Sequence, residues 1–204
     1  MNFLKRLFGK SENKDTGKTN KDPDLSKFTP EQKIPIDEMF TKKFTENGGK
    51  FLYCENEEEL QQSYQEILNE NNWIDAEIYC HNKQLQNRFK IADSLIENSE
   101  NAIYFISTCE YLIANTGALL VTSNQIGERK LNELPYNFII LATTSQLLET
   151  IGEGLQLIKQ KNKKRIPSNI TTLKNFKTQK SGQEDFMTYG SPCKNLYLLL
   201  LEDL

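Results

Sequence analysis

The chain has 204 residues, which suits one ordinary core plus a tail, since single cores commonly hold ~100–200 residues. Its composition, 37% hydrophobic and 26% charged, excludes a fibrous or wholly disordered protein. A formal net charge of -3 excludes nucleic acid as a partner drawn by electrostatics.

In Met1–Gly9, Phe3, Leu4, Leu7 and Phe8 fall at helical spacing beside Lys5 and Arg6. A membrane or partner hook is one reading of this segment. A frayed end is the one taken here, because so short a helix is marginal in water. Lys10 to Asp24 has no apolar residue and reads as a disordered linker. Residues 1–25 are therefore expected to be a tail, and 26–204 a single domain. No long apolar stretch or cleavage site marks a signal peptide, and no apolar run approaches the ~20 residues that span a bilayer. The expected address is the cytoplasm.

Ile36, Met39, Phe40 and Phe44 form a helical stripe that Asn47-Gly48-Gly49 stops. Lys50–Cys54 reads as a strand. Glu57–Leu68 reads as a helix with an acidic first turn and Leu60, Tyr64, Ile67 and Leu68 facing inward. A strand at Glu77–Cys80 and a short helix at Gln84–Phe89 follow. Further strands are predicted at Ala102–Ile106, Ala118–Thr122, Phe138–Ala142, Asn169–Leu173 and Leu196–Leu201, with a helix at Gln146–Gln160. Several strands are apolar without alternation, as expected when both faces of a mostly parallel sheet are covered by helices. The fold class is α/β, a mostly parallel open sheet flanked by helices.

Chemistry-bearing residues are sparse. Cys54, Cys80, Cys109 and Cys193 show no Cys-x-x-Cys pair, so neither zinc nor an iron–sulfur cluster is expected; no cofactor is. Cys109 is a poor nucleophile, because its neighbour Glu110 raises its pKa. The single histidine, His81, follows the second strand but has no nucleophile elbow or second histidine to work with. The run Lys159 to Arg165 reads as a solvated turn. Ser145 reads as the N-cap of the helix that follows it.

Ile113 to Ile151 is the informative stretch. Asn115-Thr116-Gly117 turns into the apolar strand from Ala118, and a carboxamide, a hydroxyl and bare backbone amides there suit an anion or a sugar hydroxyl. The same three residues also suit a tight turn that caps itself. Arg129 follows the Gly127 turn and precedes Leu134-Pro135, where its planar fork would seat a carboxylate or phosphate. A surface pair with Glu128 or Glu133 is the alternative.

This stretch resembles the LUD domain, the lactate-utilisation protein C family, in which Ala-Glu-Thr-Gly precedes an apolar strand and an Arg lies upstream of Leu-(apolar)-Pro. Ala114-Asn115-Thr116-Gly117 and Arg129 match, except that Asn115 replaces the family's Glu. The resemblance spans Phe40 to Leu204, and Tyr189 to Leu200 is similar to the family's Gly-Val-His-Gly-Pro segment without its His. The family's Ser-Gly-Pro-Ser-Arg-Thr-Ala-Asp-Ile-Glu run has no counterpart here; Thr171 to Gln179 and Ser181 to Asp185 stand in its place.

The resemblance implies a NagB/RpiA/CoA-transferase-like fold. It also implies an accessory role in lactate or hydroxy-acid utilisation, binding a small anionic metabolite and iron–sulfur oxidoreductase subunits that carry the clusters. Asn115, Thr116, Gly117 and Arg129 carry over as ligand-rim positions, with Thr116 and Arg129 expected to converge beyond the carboxyl ends of neighbouring strands. A carboxamide at 115 is neither base nor useful nucleophile, so no catalytic role transfers to it. The alternatives are a CoA-transferase-like or sugar-phosphate enzyme that seats its anion on Arg129, and a non-catalytic interaction domain with a decayed pocket.

Overall fold

The computed structural model describes residues 34–163, 165–176 and 193–203. The Met1–Gly9 segment, read as a frayed end, the linker, the domain start at Ser26, and the segments Thr178 to Asp185 and Tyr189 to Pro192 lie outside the described residues.

Helix α1 (Ile36–Glu46) buries Phe40 and Phe44 at i,i+4 spacing. It stops where the Asn47, Gly48 and Gly49 N–H groups donate to the Lys43, Thr45 and Phe44 carbonyls at 3.0, 2.9 and 3.0 Å. Strand β1 (Lys50–Cys54) leads into α2 (Glu57–Asn71). Asn56 caps α2 by accepting from the Glu59 N–H, and three glutamates fill its first turn, where the helix dipole favours negative charge. After β2 (Ile78–Tyr79) come α3 (Lys83–Phe89), capped by Asn82, and β3 (Tyr104–Thr108). The chain continues through β4 (Tyr111–Ile113), β5 (Ala118–Val121), α4 (Ser123–Ile126), β6 (Asn137–Thr143) and β7 (Leu147–Leu148). Helix α5 (Ile151–Lys161), β8 (Thr171–Leu173) and β9 (Asn195–Leu201) complete it.

Five strands form the main sheet in the order β1-β9-β6-β3-β2, every neighbouring pair parallel. It is the expected α/β sheet. Its middle strands bury alternate residues on opposite faces. Tyr104, Ile106, Ile139, Leu141, Tyr197 and Leu199 pack with the α2 and α3 side chains Leu60, Tyr64, Ile67, Leu85 and Phe89. Phe105, Phe138, Ile140, Leu196, Leu198 and Leu200 pack on the other side with Phe40 and Phe44 of α1. With both faces buried, the sequence shows an unbroken apolar run.

The second face departs from expectation. Besides α1, a second sheet covers it, ordered β7-β4-β5-β8 and antiparallel except where β4 meets β7. Leu112, Leu119 and Val121 point into the core under the main sheet, while Ile113, Ala118 and Leu120 face Ile158 of α5. The strand from Ala118 is thus buried on both faces without belonging to the main sheet, a distinction that apolarity alone does not encode. Helix α5 also begins later than expected. Thr150, not Ser145, caps it, accepting from the Glu153 N–H at 3.3 Å while Glu153 accepts from the Thr150 N–H at 3.1 Å. Ser145 instead donates from its hydroxyl to Asp203 Oδ2 at 2.6 Å.

Beneath α2, the Tyr64 and Tyr104 hydroxyls meet at 2.8 Å, and Trp73 stacks on Tyr104 at 5.3 Å. Burial pushes the Tyr64 phenol up to about 12 and that of Tyr104 higher, and pushes the Cys80 thiol up to about 11. The folded chain therefore holds protons that the unfolded chain releases above the ordinary values, ~8.5 for Cys and ~10 for Tyr. Stability is fully present below those values and falls as pH rises through them toward 11 and 12. Urea midpoints measured from pH 7 to 11 are expected to decline above pH ~9. A Tyr64→Phe/Tyr104→Phe double variant, which removes both partners of one hydrogen bond, should keep its midpoint at pH 7 and decline less steeply above pH ~10. An unchanged slope would reject the assignment.

Candidate functional site

The two stretches singled out in the sequence sit at opposite ends of one hairpin. The chain leaves β3 at the carboxyl edge of the main sheet, runs back along β4, turns at Ala114–Gly117 and returns along β5. Asn47, at the entrance to β1 and so at the amino edge, holds the turn. Its Nδ2 donates to the Thr116 carbonyl at 2.8 Å and the Gly117 carbonyl at 3.2 Å. The Ala114 and Asn115 N–H groups donate to the Leu148 and Glu149 carbonyls at 2.8 and 3.1 Å. Gly117 has φ +63°, and a Cβ there would lie 2.3 Å from the Lys43 carbonyl carbon. Thr116 Oγ1 is buried with no hydrogen-bond partner among the described residues. Thr116 and Gly117 thus dock the hairpin tip on the end of α1, while Asn115 ties it to Glu149.

At the carboxyl edge the hairpin is closed by a buried carboxylate. The Glu110 side chain is 6% exposed, and its Oε1 accepts from Gln125 Nε2 at 3.0 Å and Asn124 Nδ2 at 3.4 Å. The Thr122 hydroxyl, 2.9 Å from Gln125 Oε1, is 3.3 Å from the same Glu110 oxygen. Lys161, 69% exposed, reaches Glu110 Oε2 at 3.6 Å. Thr122 is also the N-cap of α4, so Glu110 fixes where that helix starts. Beside it Cys109 is buried, and burial first, Glu110 second, push its thiol far above the usual range. Burial, more than the neighbouring carboxylate considered from the sequence, favours the protonated thiol.

Helix α4 ends at Gly127, φ +66°, packed so closely on His81 that a Cβ would stand 3.1 Å from Nε2. This turn delivers Arg129 to the end of β2. Arg129 Nε–H donates to the Tyr79 hydroxyl at 2.7 Å, with its guanidinium carbon 5.2 Å from the Tyr79 ring centre. The Tyr79 and His81 pair is at 2.6 Å, Oη to Nε2. Among the described residues His81 Nε2 is the acceptor within reach of the Tyr79 hydroxyl proton, and giving it that role assigns the His81 proton to Nδ1. Partial burial of the ring, and then the Arg129 charge, lower the His81 pKa and so favour the neutral ring. Arg129 is half-buried and has no carboxylate partner among the described residues. Neither surface pair considered from the sequence forms: Glu128 accepts from the Ser168 hydroxyl at 3.4 Å, and Glu133 from the Lys130 N–H at 3.0 Å.

Thr116 and Arg129 therefore do not converge. The four residues of β5, at ~3.3 Å each, separate the tip from the carboxyl edge. The group that does meet Arg129 is Tyr79 of β2, 50 residues earlier, and His81 joins through the Tyr79 hydroxyl. The only signal for them in the sequence was their place at the exit of a predicted strand. Among the described residues no group of three or more His, Cys, Asp or Glu side chains is arranged to hold a metal. No helix there is long and apolar enough to cross a membrane.

A parallel sheet with an arginine, a tyrosine and a histidine at its carboxyl edge defines an α/β domain with a polar rim where such sheets commonly bind ligands. The chain belongs to the LUD domain family, whose signature it matches over residues 38–201. It is similar in fold to a DUF162 family protein from Deinococcus radiodurans whose crystal structure is known at 1.70 Å resolution. The TM-score is 0.58 and the identity 15%, over 81% of this chain and 96% of that one. No curated protein matches.

Proposed function

We propose that this LUD-domain protein is an accessory component of lactate or related hydroxy-acid utilisation, working in the cytoplasm with iron–sulfur oxidoreductase subunits and binding a small carboxylate at its sheet edge. The observation that supports the reading is Arg129: a half-buried guanidinium anchored through Nε to Tyr79, with no carboxylate partner among the described residues. With Nε taken by Tyr79, the Nη N–H groups remain for a carboxylate oxygen. Of the four rim positions taken from the sequence, only Arg129 is assigned to ligand. Asn115, Thr116 and Gly117 are assigned to the turn that docks on α1. Asn115, a carboxamide at the amino edge, lends no support to a CoA-transferase-like reaction.

Calorimetric titration with lactate and pyruvate tests this reading. Wild type is expected to bind at least one of them, and Arg129→Ala to bind about 10–100-fold more weakly with an unchanged circular dichroism spectrum, as loss of a charge-assisted contact implies. Equal binding by the two proteins would move the site away from Arg129. No binding at millimolar ligand would reject it. Co-purification of iron–sulfur subunits with the full chain tests the partner half of the proposal.

A further inference from the structure

The hydrogen-bond chain at the β2 exit has a direction. Arg129 Nε–H donates to Tyr79 Oη at 2.7 Å, Tyr79 Oη lies 2.6 Å from His81 Nε2, and with the His81 proton assigned to Nδ1 the Tyr79 O–H is the donor of that second bond. A proton added at His81 Nε2 would reverse the second bond. Two N–H groups would then point at the Tyr79 oxygen, and the phenol's own proton would need another acceptor. No further partner of the Tyr79 hydroxyl is found among the described residues, and Arg129 disfavours a second positive charge beside it. A carboxylate on Arg129 meets both needs. The guanidinium fork holds acceptors on adjacent nitrogens side by side, so an oxygen on the Nη next to Nε lies beside Tyr79 Oη. Its charge also offsets that of Arg129.

We propose that carboxylate binding at Arg129 is coupled to uptake of one proton by His81, with Tyr79 turning its hydroxyl from His81 to the bound anion. The proton comes from solvent and ends on Nε2, and no other bond is made or broken. The inference rests on the carboxylate site proposed above. The titratable and charged groups that act on His81, among the described residues, are Tyr79 of β2 by hydrogen bond and ring contact and Arg129 after α4 through its charge; Gly127 contributes only backbone.

The test uses the single histidine of the full chain, whose ring protons report without overlap in an NMR pH titration. Lactate, pyruvate and acetate are the probes, with binding followed by calorimetry in two buffers of different ionisation heat. In wild type, His81 is expected to titrate below ~6.5 when free and to shift upward with the bound probe. The buffer dependence should report proton uptake, and affinity should rise several-fold from pH 8 to pH 6. In Arg129→Ala the free titration should move up toward the ordinary value and no longer respond to the probe. His81→Gln should bind with pH-independent affinity and without proton uptake. Binding that depends on Arg129 yet leaves the His81 titration unmoved would overturn the coupling alone. Absence of binding by all three probes would overturn the coupling together with the site.

Discussion

Replacing Gly117 by valine is expected to destabilise the domain by about 3 kcal/mol or more, one of the largest effects available to a single substitution in this chain. Two causes act together. The backbone at 117 sits at φ +63°, where a β-branched side chain is strongly disfavoured. The new Cβ would also stand 2.3 Å from the Lys43 carbonyl carbon and 2.4 Å from the Phe44 backbone nitrogen. Those atoms belong to α1, held in place by Phe40 and Phe44, both fully buried, so the contact cannot be relieved by a rotamer change. Displacing the tip would in turn break the Asn47 bonds at 2.8 and 3.2 Å. Asn115→Ala, at an exposed position of the same turn, should stay within about 0.5 kcal/mol. Urea unfolding of the two variants by circular dichroism separates a docking turn from a ligand rim. A stable Gly117→Val protein with altered lactate binding would restore the rim.

The sequence was most legible where local chemistry decides local structure. β1 was read to the residue because Asn47-Gly48-Gly49 ends the preceding helix and leaves a short apolar run, and the start of α2 because its first turn is acidic, though the helix runs three residues past Leu68. It was least legible where a distant partner decides. Ser145 has the chemistry of an N-cap, but Asp203, 58 residues later, takes its hydroxyl and its N–H, and the helix waits for Thr150. β4 and β7, three and two residues long, are too short to carry any periodicity. Their absence from the reading hid the hairpin, and with it the fact that Thr116 and Arg129 lie at opposite edges. Arg129 itself was visible, since a glycine turn and a Leu-Pro stop frame it. Tyr79 and His81 became its neighbours only through the β2–β3 pairing, which brings the end of β2 alongside Phe105. In this protein, residue type pointed to the chemistry and topology chose the companions.

Glu110→Ala is expected to cost about 3 kcal/mol, while Lys161→Ala, its ion-pair partner, should cost at most about 0.5 kcal/mol. The asymmetry follows from burial. The lysine is 69% exposed and 3.6 Å away, so water replaces the carboxylate once the pair is lost. Glu110 is enclosed, and its removal leaves the Gln125 and Asn124 amides and the wholly buried Thr122 hydroxyl facing a void where a charge had organised them. Relief from burying the carboxylate offsets part of that loss. A second consequence reaches the sheet edge. Thr122 and Gln125 set the start of α4, and the helix ends at Gly127, two residues before Arg129. A Glu110 variant should therefore weaken lactate binding even though Glu110 touches no ligand, whereas Lys161→Ala should leave it intact. Urea unfolding and calorimetry on both variants check the two halves. Equal destabilisation by Glu110→Ala and Lys161→Ala would show that the exposed ion pair, and not the buried amide cluster, holds the base of the hairpin.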